Sequence, residues 1–241
     1  MEILCVIPAR GGSKRVPNKN IRNVLGKPLI AYTVESALES SLCTKVVVST
    51  DDSEIARASK KIGADIIMRP DDIALDTSPI DDALRHAVRS LEKEEGVKYD
   101  IVVLLQANVP VRKKGEIDEV IKKLLKIKDA TAVVTVYAID QRPEWMKMID
   151  LDTGGIKPFM ELTNLYRKQD LPELYLLDGA IIAVRTDALI ETEGIKRIHS
   201  YLGDRVYPFI HDAKYAVEID EEKDLELAEY YLLKEQHDKN E

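Results

Sequence analysis

The chain is expected to fold as an α/β protein, a mostly parallel sheet with helices on both faces. Three observations carry that expectation. Short β-branched runs recur, "EILCVI" (2–7), "KVVVST" (45–50), "DIVVLL" (100–105) and "ATAVVTVY" (130–137), each continuous enough for a strand buried on both faces. Apolar residues between the runs recur at helical spacing. The two patterns alternate, as right-handed βαβ crossovers require.

In chain order, 2–7 is the first strand. Leu29, Ile30, Val34, Ala37 and Leu38 mark the first helix, and 45–50 the second strand. Ile55 to Ile62 is a short helix, with Asp52 or Ser53 placed to cap it. Ile80, Ala83, Leu84, Ala87, Val88 and Leu91 form one face of a third helix, in which His86 is expected to be solvated. After 100–105 comes a fourth helix on Ile117, Val120, Ile121, Leu124 and Leu125, then the strand 130–137. The rhythm breaks after Ile139. Residues 140–177 are rich in turn formers and keep no long helical stripe, yet they carry Trp145, Phe159, Leu162 and Tyr166. They are expected to form an arm inserted into a single domain spanning 1–241, packing on a partner subunit. Strands are expected again at "GAIIAV" (179–184) and "YAVEID" (215–220), with a last helix over about 222–234.

The chain has 241 residues, 45% hydrophobic and 32% charged, with a formal net charge of −8. No global basic field attracts a nucleic-acid backbone, so an anion site must be a local basic pocket. Cys5 and Cys43 have no metal-ligand spacing and are expected to be reduced thiols. Glu2 stands where a secretory signal carries basic residues, and no apolar run approaches the ~20 residues of a membrane span. The expectation is a cytoplasmic protein.

That local pocket is expected in "IPARGGSKRVPNKN" (7–20), directly after the first strand. Ligands of open parallel sheets bind beyond the carboxyl ends of the strands. Gly11 and Gly12 let backbone N–H groups approach a phosphate closely. Arg10, Lys14, Arg15 and Lys19 supply charge enough for a triphosphate. The spacing matches neither the Walker phosphate loop nor the dinucleotide fingerprint.

The stretch "IPARGGSKRVPNKNIRNVLGKPLIAYTVESAL" resembles the opening of the acylneuraminate cytidylyltransferase family, the CMP-sialic acid synthetases and their relatives. The similarity continues through "VVVSTDDSEIA", "GADIIMRPDDIALDT" and "DIVVLLQANVP", and resumes at "YRKQDLPELYLLDGAIIAV" and "EIDEEKDLELAE". It implies a nucleotide-diphospho-sugar transferase-like fold, a small arm that makes a homodimer, and a reaction joining CTP to a 2-keto sugar acid with release of pyrophosphate. By the same resemblance Arg10 contacts phosphates and Lys19 is the catalytic lysine. Gly11, Gly12, Ser13, Lys14, Asn20 and Arg69 bind nucleotide, and Gln106 lies between nucleotide and sugar. Lys147, Arg167, Lys168, Gln169 and Asp178 fall on the sugar side, with Lys168 in the place of a catalytic arginine. Glu218 and Asp220 stand for the family's D-x-D, which holds Mg²⁺; two residues apart on a strand, they would share one face.

The sequence departs from the family pattern mostly on the sugar and base edges, with Asp178 for Asn and Ile182 for Tyr in "DGAII" and "QANVPVR" for Q-P-T-S-P-L-R. Nucleotidyl transfer is therefore better marked than the sugar. The expected substrate is a nonulosonate-type 3-deoxy-2-keto sugar acid. Two alternatives stay open: transfer to a sugar 1-phosphate or from another nucleotide, and a non-catalytic nucleotide-binding subunit. The only cofactor implied is Mg²⁺.

Overall fold

A computed structural model describes residues 1–160 and 167–238; for Lys168 and residues 236–238 only the backbone is described. The first strand, β1 (Ile3–Pro8), runs into the basic loop. A two-stranded ribbon, β2 (Asn23–Val24) and β3 (Lys27–Pro28), leads into α1 (Leu29–Leu38). There follow β4 (Lys45–Thr50), α2 (Ser53–Ile62), β5 (Asp65–Met68), α3 (Ile80–Glu95), β6 (Ile101–Leu104), α4 (Glu116–Lys126) and β7 (Ala132–Ile139). The remaining elements are β8 (Lys147–Ile149), β9 (Ile156–Pro158), β10 (Leu174–Arg185), α5 (Thr186–Glu191), β11 (Val206–Ile210) and α6 (Glu222–Asp238).

Seven strands form the main sheet in the order β11-β7-β10-β6-β1-β4-β5. β1 is parallel to β4 and β6, β4 to β5, and β7 to β11. Only β10 runs against its neighbours, β6 and β7. Its reversed direction brings its N-terminal half to the same edge as the carboxyl ends of β1 and β6.

Alternation along the strands divides the core into two layers. Ile3, Cys5 and Ile7 of β1 face α1, α2 and α4; Leu4 and Val6 face α3 and α5. Both sets are essentially buried, which explains the continuous apolar runs. α2 starts where expected, because the Asp52 carboxylate accepts from the N–H groups of Glu54 (2.7 Å) and Ile55 (3.0 Å). A third cluster seats α6 against the chain beneath the basic loop: Leu225, Ala228 and Leu232 pack with Val16, Leu29 and Ile219. Leu104 lies between two strands with no exposed surface. Leu104→Ala is expected to cost about 2–5 kcal/mol, read as a lower urea midpoint at unchanged m value.

The structure corrects three expectations. "YAVEID" is no strand: Ala213–Ala216 is a 3₁₀ turn, and residues 217–220 join no ladder. Their backbone tie is one hydrogen bond from Ile219 N–H to the Asn108 carbonyl (2.8 Å). The strand near that end is β11, obscured in the sequence by Pro208, which an edge position tolerates. The arm also ends sooner than 177, since β10 begins at Leu174 and pairs with β7 from there. His86 is half-buried, with its Nδ1 unpaired. Within the arm, β8 and β9 form a separate hairpin with Ile149 opposite Ile156. Trp145 and Phe159 are exposed on it, while Leu162 and Tyr166 lie outside the described residues.

Candidate active site

A cleft of about 440 Å³ opens at the carboxyl ends of β1 and β6. The loop after β1 forms one wall, Gln106 and Asn108 after β6 another, and Asp220 the rim before α6. A roomier hollow of about 600 Å³ lies elsewhere, among surface groups such as Lys60 on α2, Asp65 on β5 and Glu94 on α3. It has no convergent charge of one sign and is not at the ligand edge.

The loop is held by its own backbone. Ala9 N–H donates to the Ser49 carbonyl (2.9 Å), Gly11 N–H to Asp51 Oδ1 (3.1 Å) and Ser13 N–H to the Gly11 carbonyl (2.9 Å). A side chain at Gly11 would place its Cβ 2.5 Å from Asp52 Oδ2, so only glycine fits against the cap of α2. Asn20 lines the cleft, but its side-chain amide donates to the Arg10 carbonyl (2.9 Å) and is spent fastening the loop.

The charged side chains lining the cleft are Arg10, Lys14, Arg15 and Lys19 against Asp76 and Asp220. Arg10 and Lys14 both pair with Asp76. Lys19 Nζ donates to the Ile219 carbonyl (2.5 Å) and to Asp220 (3.2 Å), and Arg15 meets the other Asp220 oxygen at 3.3 Å. Four cations against two carboxylates leave an excess of positive charge, arranged as two cation pairs on either side of the opening. A polyphosphate meets that pattern; a neutral ligand does not.

Arg69 stands behind this wall. It donates to the Ser49 carbonyl (2.7 Å) and lines no part of the cleft. Burial holds its guanidinium below the ordinary value, with Asp51 opposing the shift and Arg10 adding to it. Gln106 does line the cleft, and Gly179 touches it from β10: a Cβ on Gly179 would lie 2.4 Å from Gln106 Nε2.

The sugar-side residues named from the sequence are not gathered at this cleft. Lys147, Arg167 and Gln169 are exposed on the arm and do not line it. The side chain of Lys168 lies outside the described part of the structure. Asp178 is a correction. It does not present a carboxylate to a ligand: its side chain is 1% exposed and takes hydrogen bonds from Thr135 Oγ1 (2.7 Å), Ala180 N–H (2.7 Å) and His211 Nε2 (2.7 Å).

The expected common face of Glu218 and Asp220 is also corrected, because the segment is not extended in a ladder. Asp220 lines the cleft, whereas Glu218 lines an adjoining hollow of about 350 Å³ and accepts from Asn108 Nδ2 (3.0 Å). Among the described residues no three acidic, histidine or cysteine side chains form a metal cluster. An all-protein metal cage is therefore not what these residues build. One or two carboxylates with ligand phosphates completing the shell is a donor set that suits a hard divalent cation, and these residues fit it.

Asp76, Asn108, Arg112, Glu116 and His211 were not singled out in the sequence. Asn108 had a signal, since it follows a strand end at the ligand edge. Asp76 lies in an irregular stretch, and the other three are brought together only by the fold. Among the described residues no helix is long and apolar enough to cross a membrane.

A profile of the cytidylyltransferase family matches residues 4–237. The chain is 39% identical over 200 residues to the CMP-N,N'-diacetyllegionaminic acid synthase of Legionella pneumophila, covering 80% of this chain and 82% of that protein. It is 33% identical over 232 residues to the pseudaminic acid cytidylyltransferase of Campylobacter jejuni, with 95% of each covered. Among solved structures, a CMP:2-keto-3-deoxy-manno-octonic acid synthetase complexed with CTP superposes with a TM-score of 0.72 at 21% identity, over 98% of this chain and 100% of that one.

Proposed function

The chain belongs to the cytidylyltransferase family, and we propose that it joins CTP to a nonulosonate-type 3-deoxy-2-keto sugar acid, giving a CMP-sugar and pyrophosphate. The observation that carries this reading is the cleft itself, four cations against two carboxylates beside a loop with its glycine packed on α2.

The chemistry follows from that charge. The anomeric hydroxyl of the sugar acid attacks the α-phosphorus of CTP. A new P–O bond forms, the bond to the β-phosphate oxygen breaks, the hydroxyl proton is released and pyrophosphate leaves. Charge develops on the phosphoryl oxygens and on the leaving group, so positioning and electrostatics carry the rate. Arg10 and Lys14 exchange Asp76 for phosphate oxygens. Lys19, tied to Ile219 and Asp220, sits with its ammonium already oriented at the floor of the cleft. Gly11 and Gly12 do not line the cleft, and the Gly11 N–H is taken by Asp51; their part is to turn the chain so that Ser13 and Lys14 line the cleft. Asp220, the carboxylate that does line the cleft, would hold a Mg²⁺ ion together with phosphate oxygens, and the ion would supply further neutralisation of phosphate charge when bound.

The arm completes the reading. Its exposed apolar hairpin serves as a dimer contact, and Lys147, Arg167, Lys168 and Gln169 serve the sugar side of the partner's cleft. Lys147 and the basic pair attract the sugar carboxylate. The setting is the cytoplasm, where CTP is available.

The test is pyrophosphate release with Mg²⁺, each of CTP, UTP, GTP and ATP in turn, and a panel of ulosonic acids and sugar 1-phosphates. Release with CTP and an unphosphorylated keto acid is expected. A requirement for a phosphorylated sugar, or nucleotide binding without release across the panel, would overturn the reading. A smaller effect concerns Asp76, which competes with phosphate for Arg10 and Lys14. Asp76→Asn is expected to tighten CTP about two- to fivefold, the scale of a part-exposed ion pair. Calorimetry reads it; weaker binding would mean that Asp76 orients the two cations.

A further inference from the structure

Behind Gln106 the fold buries four charged or chargeable side chains that the reaction above does not use. Asp178 ends the first half of β10, at an irregularity in its pairing with β7. Glu116 opens α4, and His211 follows β11. The side chains of all three are no more than 2% exposed. His211 Nε2 lies 2.7 Å from Asp178 Oδ2, and its Nδ1 lies 3.4 Å from Glu116 Oε1. Arg112 runs alongside, donating to the carbonyls of Ala180 (3.2 Å) and Gln106 (2.8 Å) and to Thr33 Oγ1 (2.8 Å).

The ring of His211 sits between two buried carboxylates: Nε2 is hydrogen-bonded to Asp178, while Nδ1 faces Glu116 at 3.4 Å without a hydrogen bond. A neutral imidazole would turn a lone pair toward one of them. With both nitrogens protonated, two cations balance two anions, and no uncompensated charge is buried. Asp178 uses its second oxygen on Ala180 N–H and Thr135, so its position sets the backbone turn at Gly179. Gly179, at φ +70°, lies against the Gln106 side chain with no room for a Cβ. Arg112 ties the Gln106 carbonyl to the other side of that turn.

We propose that His211 is a positioning residue for the sugar side of the cleft: a doubly protonated imidazolium that acts through Asp178 and Gly179 on the side chain of Gln106. Its consequence for the sugar acid rests on the cytidylyltransferase reading; the placement of Gln106 does not. The groups facing His211 are Asp178 on β10, Glu116 on α4 and Tyr215 in the following turn, 6.1 Å away ring to ring. Arg112 and Tyr137 complete the charged and titratable groups around the same carboxylates. Burial alone would push the imidazole down, but the hydrogen bond to Asp178 and the close carboxylates of Asp178 and Glu116 outweigh it and raise the pKa to about 9. The folded value lies above the ordinary one. The stabilisation is therefore complete below the unfolded value near 6.5 and lost as pH rises through about 9.

Two measurements on the full chain test this. Long-range ¹H–¹⁵N spectra of the four histidines should show His211 protonated at both nitrogens at pH 7.5, identified by its loss in His211→Gln. The side-chain amide of Gln106, assigned with Gln106→Glu, should shift with the same midpoint as His211. A neutral tautomer at pH 7.5, or a Gln106 amide silent while His211 titrates, overturns the proposal whether or not the protein turns over any sugar. In kinetics, His211→Gln should lower kcat/KM for the sugar acid about tenfold, with CTP affinity kept within about twofold. An equal loss for both substrates would mark a merely structural role and also overturn it. Absence of turnover by the wild-type protein with CTP and every sugar acid would instead count against the reaction assigned above, and the spectra would still decide the role of His211.

Discussion

Lys19→Ala is expected to lower kcat for pyrophosphate release by about 10²–10³-fold, or roughly 2.7–4 kcal/mol of transition-state stabilisation. The side chain is only 16% exposed, and its ammonium is fixed by the Ile219 carbonyl and by Asp220. A cation already oriented in a cleft stabilises developing charge without reorganising during the reaction. The same burial predicts that CTP binding suffers less than turnover, because Arg10, Lys14 and Arg15 remain to hold the ground-state triphosphate. KM for CTP should rise by less than about tenfold while kcat falls further, which separates a group acting in the transition state from one that binds uniformly. Lys19→Arg restores charge but not shape, and should recover part of the rate. Charge reversal in Lys19→Glu should abolish turnover; a Lys19→Glu protein with a normal rate would remove Lys19 from the mechanism.

The parts of this site that were legible in the sequence are those in which local pattern and function coincide. The strand–loop–helix opening needs its glycines and cations within one short segment, so Gly11, Arg10, Lys14 and Lys19 could be placed together from spacing alone. Gln106 was legible only through the family resemblance, and Asn108, which follows the same continuous apolar run to the ligand edge, was not singled out. What failed was any inference that depended on a strand the local sequence did not specify. "YAVEID" alternates like a strand but has one backbone bond to Asn108 in place of a ladder, so Glu218 and Asp220 diverge. Pro208 hid β11 at the sheet edge, and with it the position of His211. Asp178 then read as an odd carboxylate in a sugar pocket, because its partners Thr135 and His211 are 43 and 33 residues away. A buried ionic cluster assembled from β10, α4 and the residue after β11 leaves no periodicity to detect. Arg112 is the same case: it sits in an unremarkable turn, and only the fold aims it at Gln106 and Ala180.

Placing an aspartate at both Ile149 and Ile156 is expected to convert a dimer into monomers and to remove most turnover of the sugar acid while leaving CTP binding intact. The two residues are cross-strand neighbours on the arm hairpin, 70% and 73% exposed, and Leu151 in the turn between their strands is 90% exposed. An apolar hairpin of this kind gains about 1.5–3 kcal/mol for each large side chain it buries on a partner, and a charge there forfeits that gain. Sedimentation reads the assembly state, and unchanged sedimentation would show that the arm is not the contact. The link to activity is sharper. The cleft holds the phosphate-facing cations, yet Lys147, Arg167 and Gln169 do not line it within one chain. If each arm serves the partner's cleft, a Lys19→Ala subunit and a Lys147→Ala subunit complement one another. In an equal mixture half the dimers are mixed, and each has one cleft with both defects and one with neither. Two-fold symmetry then predicts recovery of about a quarter of the wild-type rate from two inactive proteins. Recovery at that level requires a shared site, because two defects within one chain cannot be separated by exchanging subunits. A mixture no more active than its components would place Lys147 in the cleft of its own chain or outside the reaction altogether.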